Sequence, residues 1–511
     1  MTTDATTGAQ SLIRSMATGV PGLDTVLGGG MPEYSFNLIA GAPGAGKTTL
    51  AQQIMFANAT AERPALYFTV LGEPTIKMLR YQRQFHFFRP ELVESAVRFI
   101  NLSEEAVHGD LGHALDRIVR EVERTEPSIV IVDSFRTLTQ RSRAPEAELD
   151  SGMEEQSLIG LEYFVQRLAL HLTTWEVTSF LVAAFGDAEQ KNPVFTVADG
   201  ILWLMQEADR NSVVRKLRVT KVRGRAFMPG LHTFRISDRG VHVFPRIPEQ
   251  QAQRTAPLEI ERMSTGVPGL DEMMGGGIPA GDALMLTGPA GTGKSTFARQ
   301  FAASALRSGS PGVVVVFEEY PAEYSTRLGA LERDLATARD SELRVLYLRP
   351  LDLSVDETLW EILEAVRAVG ARWVVIDSLS GFEIALAPTF REDFRESLYR
   401  LVGALTATGV TVVMTAEVVQ TQSDVRFTSE KVSFIADDII AQRYVEIDGT
   451  LRTVVAVVKM RGSEHGREFR FYEITPAGAE IGEPLTGYHG IITGVPDWKP
   501  DTDAPGRTNG E

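Results

Sequence analysis

GAPGAGKTT, Gly41 to Thr49, decides the fold of this chain. It fits G-x-x-x-x-G-K-[ST] between an apolar strand-like run and a helix-forming one, the setting of a phosphate-binding loop. Its glycines let backbone N–H groups wrap phosphate oxygens, Lys47 can reach the β and γ phosphates, and the Thr48 hydroxyl can ligate magnesium. The same pattern returns as GPAGTGKST, Gly288 to Thr296, with Lys294 and Ser295 in the equivalent places. One match could be an ordinary glycine-rich turn. Two at matched positions point to two nucleotide sites.

Around each loop the chain repeats itself. ATGVPGLDTVLGGGMP (Ala17 to Pro32) is echoed by STGVPGLDEMMGGGIP (Ser264 to Pro279), SIVIVDS (Ser128 to Ser134) by RWVVIDS (Arg372 to Ser378), and VTKVRGR (Val219 to Arg225) by VVKMRGS (Val457 to Ser463). Lys294 follows Lys47 by 247 residues, and Pro321 follows Pro74 by the same 247. No net insertion separates these landmarks, so Leu71 and Gly72 align with Glu318 and Glu319. Further on the spacing falls to 244 and then 238, the drift of loops in a tandem duplication.

Short β-branched runs (Ala65 to Val70, Ile129 to Val132, Thr178 to Ala184) alternate with helical segments (Leu111 to Arg124, Gln156 to Thr173), the βαβ rhythm of a mainly parallel sheet. Ser212 to Val222 and Leu231 to Phe244 alternate apolar and polar residues and read as hairpin strands. The expected fold is α/β: two tandem RecA-like P-loop domains, each a mainly parallel sheet flanked by helices with a C-terminal hairpin region. Domain one is expected at 15–247 and domain two at 262–490, joined by a linker at 248–261 rich in Pro and Gln. The ends, 1–14 and 491–511, read as disordered tails.

Composition narrows the classes. The 51 basic and 67 acidic residues give a net charge of −16, which disfavours nonspecific attachment to nucleic acid or an anionic membrane. With no cysteine, disulfides and thiolate metal sites are excluded. No secretory signal and no apolar run of membrane-spanning length is visible, so a cytoplasmic location is expected.

Asp133 and Asp377 each end an apolar strand, the place of a Walker B acid in the magnesium shell; such an acid can also cap the next helix. Hydrolysis further needs a group that orients or deprotonates water, and a carboxylate at the end of the strand beside the P-loop strand can approach the γ-phosphate. Glu318 and Glu319 fit that position in the second copy. In the first copy LYFTVLGEP (Leu66 to Pro74) has Leu71 and Gly72 there, while Glu73, one residue on, would face the other way. The first site is therefore expected to bind nucleotide far better than it turns it over. Lys221 with Arg223, and Lys459 with Arg461, project from one strand face and stop at a glycine. Each pair can be a solvated face, a nucleic-acid contact, or an arm reaching a neighbour's phosphates.

Two P-loops, two Asp-Ser strand ends, Glu-Glu in copy two, and the KVRG and KMRGSEH hairpins make the chain resemble the KaiC-like family of tandem RecA-like ATPases of the circadian clock, over roughly residues 15 to 490. The resemblance implies a double-ringed homohexamer with ATP and Mg²⁺ between adjacent subunits. It implies that Gly44, Ala45, Gly46, Lys47, Thr48 and Thr49 bind the first nucleotide, with Lys221 and Arg223 acting in trans. Gly291, Thr292, Gly293, Lys294, Ser295 and Thr296 would bind the second, with Lys459, Arg461 and Ser463 in trans. Lys294, Glu318, Glu319 and Asp377 would be catalytic, Glu319 as an acid. Thr48 and Asp133, and Ser295, Glu318 and Asp377, would serve the metals.

The family phosphorylates itself on an adjacent Ser and Thr before a Tyr-Val-Glu-Ile strand. Counting back from Tyr444, this chain has Ser433 followed by Phe434. A two-step cycle on that pair is unavailable, which leaves Ser433 as the candidate phosphoacceptor, with Thr428 and Ser429 nearby. The family also has paired glutamates in both domains, unlike this chain. The leading expectation is an ATP-hydrolysing signalling or timing switch, working chiefly in its second domain with partner proteins not named by the sequence. The alternatives are a RecA-like nucleic-acid-dependent ATPase, and a noncatalytic scaffold that uses ATP as interface glue.

Overall fold

The computed structural model describes residues 14–69, 75–102, 111–133, 151–185, 193–209, 212–246, 261–331, 342–348, 353–391, 394–418, 435–447, 449–489 and 497–498. The chain divides into two compact units, Met1–Arg246 and Ile247–Glu511.

In the first unit a nine-stranded sheet runs, edge to edge, Gly240–Phe244, His232–Ser237, Ser212–Val222, Gly200–Asp209, Phe36–Gly41, Thr178–Ala184, Ile129–Asp133, Ala65–Thr69 and Val97–Asn101. The six from Gly200–Asp209 to Val97–Asn101 are parallel, and the remaining three add on antiparallel. Parallel strands are buried on both faces, which is why Phe36–Gly41, Ala65–Thr69 and Ile129–Asp133 are buried throughout. Alternation splits their side chains between two cores. Leu38, Ala40, Leu66 and Val130 pack beneath the helices Leu111–Thr125 and Ser151–Thr174; Ile39, Tyr67 and Ile131 pack beneath the P-loop helix Lys47–Asn58. Leu111–Thr125 buries Ala114, Leu115, Ile118 and Val122, one stripe at helical spacing.

The second unit repeats the plan: Leu343–Tyr347, Gly312–Val316, Trp373–Asp377, Thr411–Glu417, Ala283–Gly288, Asp438–Ile447, Thr450–Lys459, Arg470–Thr475 and Gly478–Pro484. Its helices cover the same two faces over separate cores.

Three sequence expectations change in detail. Gly312–Val316, the strand that leads to Glu318 and Glu319, is not beside the P-loop strand Ala283–Gly288: Trp373–Asp377 and Thr411–Glu417 lie between them, so the glutamates follow the strand next to the one that ends in Asp377. Leu231 to Phe244 is not one strand: it folds back at Asp238 and Arg239, so that Ser237 pairs with Gly240. Ser212–Val222 pairs along its length with Gly200–Asp209, and meets the first arm of that fold-back only where Lys216 and Leu217 pair with Thr233 and His232. Asp497–Trp498, expected within a tail, pairs with Tyr488–His489.

Candidate nucleotide sites

Each P-loop joins the C-terminal end of a central strand, Phe36–Gly41 or Ala283–Gly288, to the helix that starts at its lysine. Gly46 and Gly293 cap those helices at φ 99° and 92°, a region that costs any other residue. A Cβ on Gly46 would lie 2.5 Å from Ile236 Cδ1, and one on Gly293 2.2 Å from Ile474 Cδ1, because the hairpin strand behind each loop packs against it. The backbone N–H groups at a helix start then face outward with the positive end of the helix dipole, a cradle for phosphate. Ala45 and Thr292 are buried within the loops, and Thr49 and Thr296 lie in the first helical turns. In the second unit the hydroxyl of Tyr472 also donates to Thr292 O at 2.5 Å, pinning the loop from below.

Lys47 donates to Ala42 O at 2.8 Å, and Lys294 to Gly288 O at 2.9 Å and Pro289 O at 2.8 Å. Burial pushes both ammonium groups below their ordinary pKa, while Asp133 in one unit, and Glu417 and Asp377 in the other, pull the opposite way. The structure brings the predicted acids to these loops. Asp133 Oδ2 accepts from Thr48 at 2.7 Å, and Asp377 Oδ1 from Ser295 at 3.1 Å. A hydroxyl and a carboxylate touching beside a phosphate cradle is a donor set that suits magnesium shared with phosphate oxygens, so Mg-ATP fits both sites.

The acids are supported from different sides. Tyr67 donates to Asp133 Oδ2 at 2.6 Å, and Gln52 Nε2 lies 3.4 Å from that tyrosine oxygen. Burial raises the pKa of Asp133, opposed by the hydrogen bonds from Tyr67 and Thr48 and by the charge of Lys47. Asp377 takes its second hydrogen bond from Thr415, at 2.6 Å, on the neighbouring strand Thr411–Glu417. The counterparts of Tyr67 and Thr415 in the opposite copies are Val314 and Val182. Sequence reasoning missed Tyr67, Gln52 and Thr415, since nothing marks a strand tyrosine or threonine as a partner until strand order is known.

The second site opens into a cavity of about 440 Å³ whose lining includes Lys294, Ser295, Asp377, Glu318, Glu319 and Glu417. Both predicted glutamates therefore share a space with the P-loop lysine and Asp377. Glu318 lies against Gly381, where a Cβ would come 3.1 Å from its Oε1. Leu71, Gly72, Glu73, Thr428, Ser429 and Ser433 lie outside the described residues.

The Lys/Arg pairs stand elsewhere. Lys221 pairs with Ile201 and Lys459 with Ile439, at the end of the sheet where the central strand begins. Arg223 contacts Asp199 at 2.8 Å and Arg461 contacts Asp437 at 3.1 Å; the same carboxylates accept from Phe36 N and Ala283 N. Lys221 donates to Thr196 O and Lys459 to Ala436 O, and Ser463 accepts from Arg262 at 2.9 Å. Lys221 and Lys459 stand level with Leu38 and Met285, roughly 10 Å along the strand from its P-loop end, and Arg223 and Arg461 stand level with Phe36 and Ala283, roughly 16 Å from it at the rise of a β-strand.

Two parallel sheets, each with a P-loop after its central strand and a hydroxyl–carboxylate pair beside it, define a tandem RecA-like P-loop ATPase. The family model described as "ATPase: KaiC" matches residues 16–247 and 263–486, nearly all of both units, and the chain belongs to that family. It is 26% identical over 496 residues to the circadian clock oscillator protein KaiC of Thermostichus vulcanus, covering 95% of this chain and 92% of that one. Against the KaiC proteins of Rippkaea orientalis and Synechococcus elongatus it is 27% identical over 495 residues and 26% over 506. Those matches cover 95% and 97% of this chain, and 92% and 94% of theirs. Among the described residues no helix is long and apolar enough to cross a membrane.

Proposed function

We propose that this chain is a self-assembling KaiC-type signalling or timing ATPase that binds Mg-ATP at both P-loops and hydrolyses it chiefly at the second. The observation that carries this reading is the shared cavity of Glu318, Glu319, Lys294, Ser295 and Asp377. In it the glycine loop and Lys294 bind the phosphates. Magnesium, held by Ser295 and Asp377 with phosphate oxygens, would neutralise charge that builds on the transferred group. Glu318 orients a water for in-line attack and takes its proton, with Glu319 beside it. The first site, with Leu71 and Gly72 aligned to these glutamates, holds nucleotide and stabilises assembly. Two further features belong to the same reading. The distance of Lys221, Arg223, Lys459 and Arg461 from their own P-loops supports their use in trans, across the interface of a homohexamer. Ser433 is the proposed phosphoacceptor of a single-step autophosphorylation.

Glu318→Gln with Glu319→Gln should lower ATP turnover about 10²- to 10⁴-fold, the span of a general base, while binding of a fluorescent ATP analogue persists. Turnover that survives the double substitution would move catalysis to another place. Phosphosite mapping by mass spectrometry after incubation with Mg-ATP tests Ser433 separately.

A further inference from the structure

We infer that Arg299 and Arg327 form a clamp that fixes Glu319 and so sets the geometry of the water-activating pair at the second site; this rests on the reading that Glu318 and Glu319 serve hydrolysis there. Glu319 has a guanidinium near each oxygen: Arg299 donates a long hydrogen bond to Oε2, and Arg327 approaches Oε1 as an ion pair without hydrogen-bond geometry, which leaves that buried oxygen charge-paired but not hydrogen-bonded among the described residues. Arg299 Nη1 lies 3.4 Å from Oε2, and Arg327 Nη1 3.1 Å from Oε1. Arg299 stands four residues after Ser295 on the P-loop helix, hence on the same face one turn behind the metal-shell hydroxyl. Its side chain is only 12% exposed and its guanidinium lies 5.9 Å from the ring centroid of Tyr324, a fully buried tyrosine. Arg327 comes from the next helix, Pro321–Leu331, and is exposed. Glu318 makes no hydrogen bond or ion pair among the described residues, so of the two glutamates lining the cavity Glu319 is the one held by cations and Glu318 the one left to a water.

Adjacent carboxylates repel, and neither takes up one geometry unless something fixes it. Two guanidinium groups turned toward Glu319 from separate helices supply that constraint, and they draw the second charge away from the first. Division of labour follows: Glu318 faces the reaction and Glu319 is a positioning residue. The first unit supports the coupling independently. At the place of Arg299 it has Gln52, at the place of Glu319 it has Gly72, and at the place of Val314 it has Tyr67. A nearly buried arginine needs an anion, because an unpaired buried charge is strongly destabilising. Where the acid is gone the arginine is gone too, and Gln52 turns to the Tyr67 hydroxyl. Arg80, the counterpart of Arg327, is exposed.

Steady-state ATPase kinetics of the full chain test the clamp. Arg299→Gln should cut kcat by about 10²-fold, the cost of misplacing a reacting group by an ångström, with KM and binding of a fluorescent ATP analogue unchanged. Arg299→Lys should recover part of the loss, and Arg327→Gln should give a smaller one. In each pairing with Glu319→Gln, the double variant should be no slower than the slower single one. Wild-type kcat in both Arg299→Gln and Arg327→Gln, or losses that multiply in the double variants, would overturn the clamp. If Arg299→Gln does not fold, the pairing of Arg327→Gln with Glu319→Gln decides the matter. Glu318→Gln separates the two levels: full loss there with normal arginine variants defeats the clamp alone, and normal turnover there defeats the site and the clamp together.

Discussion

At the scale of single residues, His232 spends both ring nitrogens inside the fold: Nε2 meets Met228 O at 3.1 Å, and Nδ1 accepts from Arg246 N at 2.9 Å. That arrangement requires the neutral ring, and burial holds its pKa below the ordinary value near 6.5. With the folded value depressed, the unfolded chain binds more protons below about pH 6.5, so stability is lost as pH falls through that range. Denaturant unfolding of wild type and His232→Gln at pH 7.5 and 5.5 should show the wild-type advantage shrinking at the lower pH. An advantage that stays constant would mean that the ring's protonation is not linked to folding. Residue types of this kind separate what the sequence reveals from what it hides. Lys47, Lys294 and the loop glycines are legible because a phosphate cradle needs those residues at those spacings, and Glu318 with Glu319 because the 247-residue register exposes them. Tyr67, Thr415 and Arg299 are illegible because their work consists of meeting an acid that is distant along the chain.

At the scale of elements, the hairpin strand behind each P-loop is part of the site. Ile236 and Ile474 occupy the space a side chain at Gly46 or Gly293 would take, so loop and hairpin fit only while those caps remain glycine. Gly293→Ala adds a Cβ both to a left-handed backbone and to contact with Ile474. It should cost about 1 to 3 kcal/mol of local strain and weaken nucleotide binding at the second site, while the first is untouched. Filter binding with ATP, on a chain whose first site is disabled by Lys47→Ala, would measure this; undiminished affinity would show that the hairpin yields freely. The βαβ rhythm was legible because buried parallel strands leave an unbroken apolar signature. The fold-back at Asp238 and Arg239 was not, because alternation runs through Leu231 to Phe244 without marking where the chain reverses.

At the scale of the whole molecule, the trans reading makes a complementation test available. A chain with Lys294→Ala lacks a working second P-loop but keeps its arm, and a chain with Arg461→Ala lacks the arm but keeps its loop. Mixed and allowed to exchange subunits in Mg-ATP, they should form some interfaces with both parts intact and recover part of the wild-type ATPase. No recovery above the sum of the separate chains would confine each site to one subunit or make Arg461 dispensable. The two ways of supporting the strand-end acid, Tyr67 on Asp133 and Thr415 on Asp377, also bear on how the gene can change. A crossover between the repeats that moved the strand carrying Tyr67 without the strand equivalent to Thr411–Glu417 would yield a half with both supporting hydroxyls or with neither. In the second case the buried acid would lose a hydrogen bond worth about 1 kcal/mol or more. A crossover that carried both strands together would leave each acid one hydroxyl, so the two supports are exchangeable between halves only as a pair.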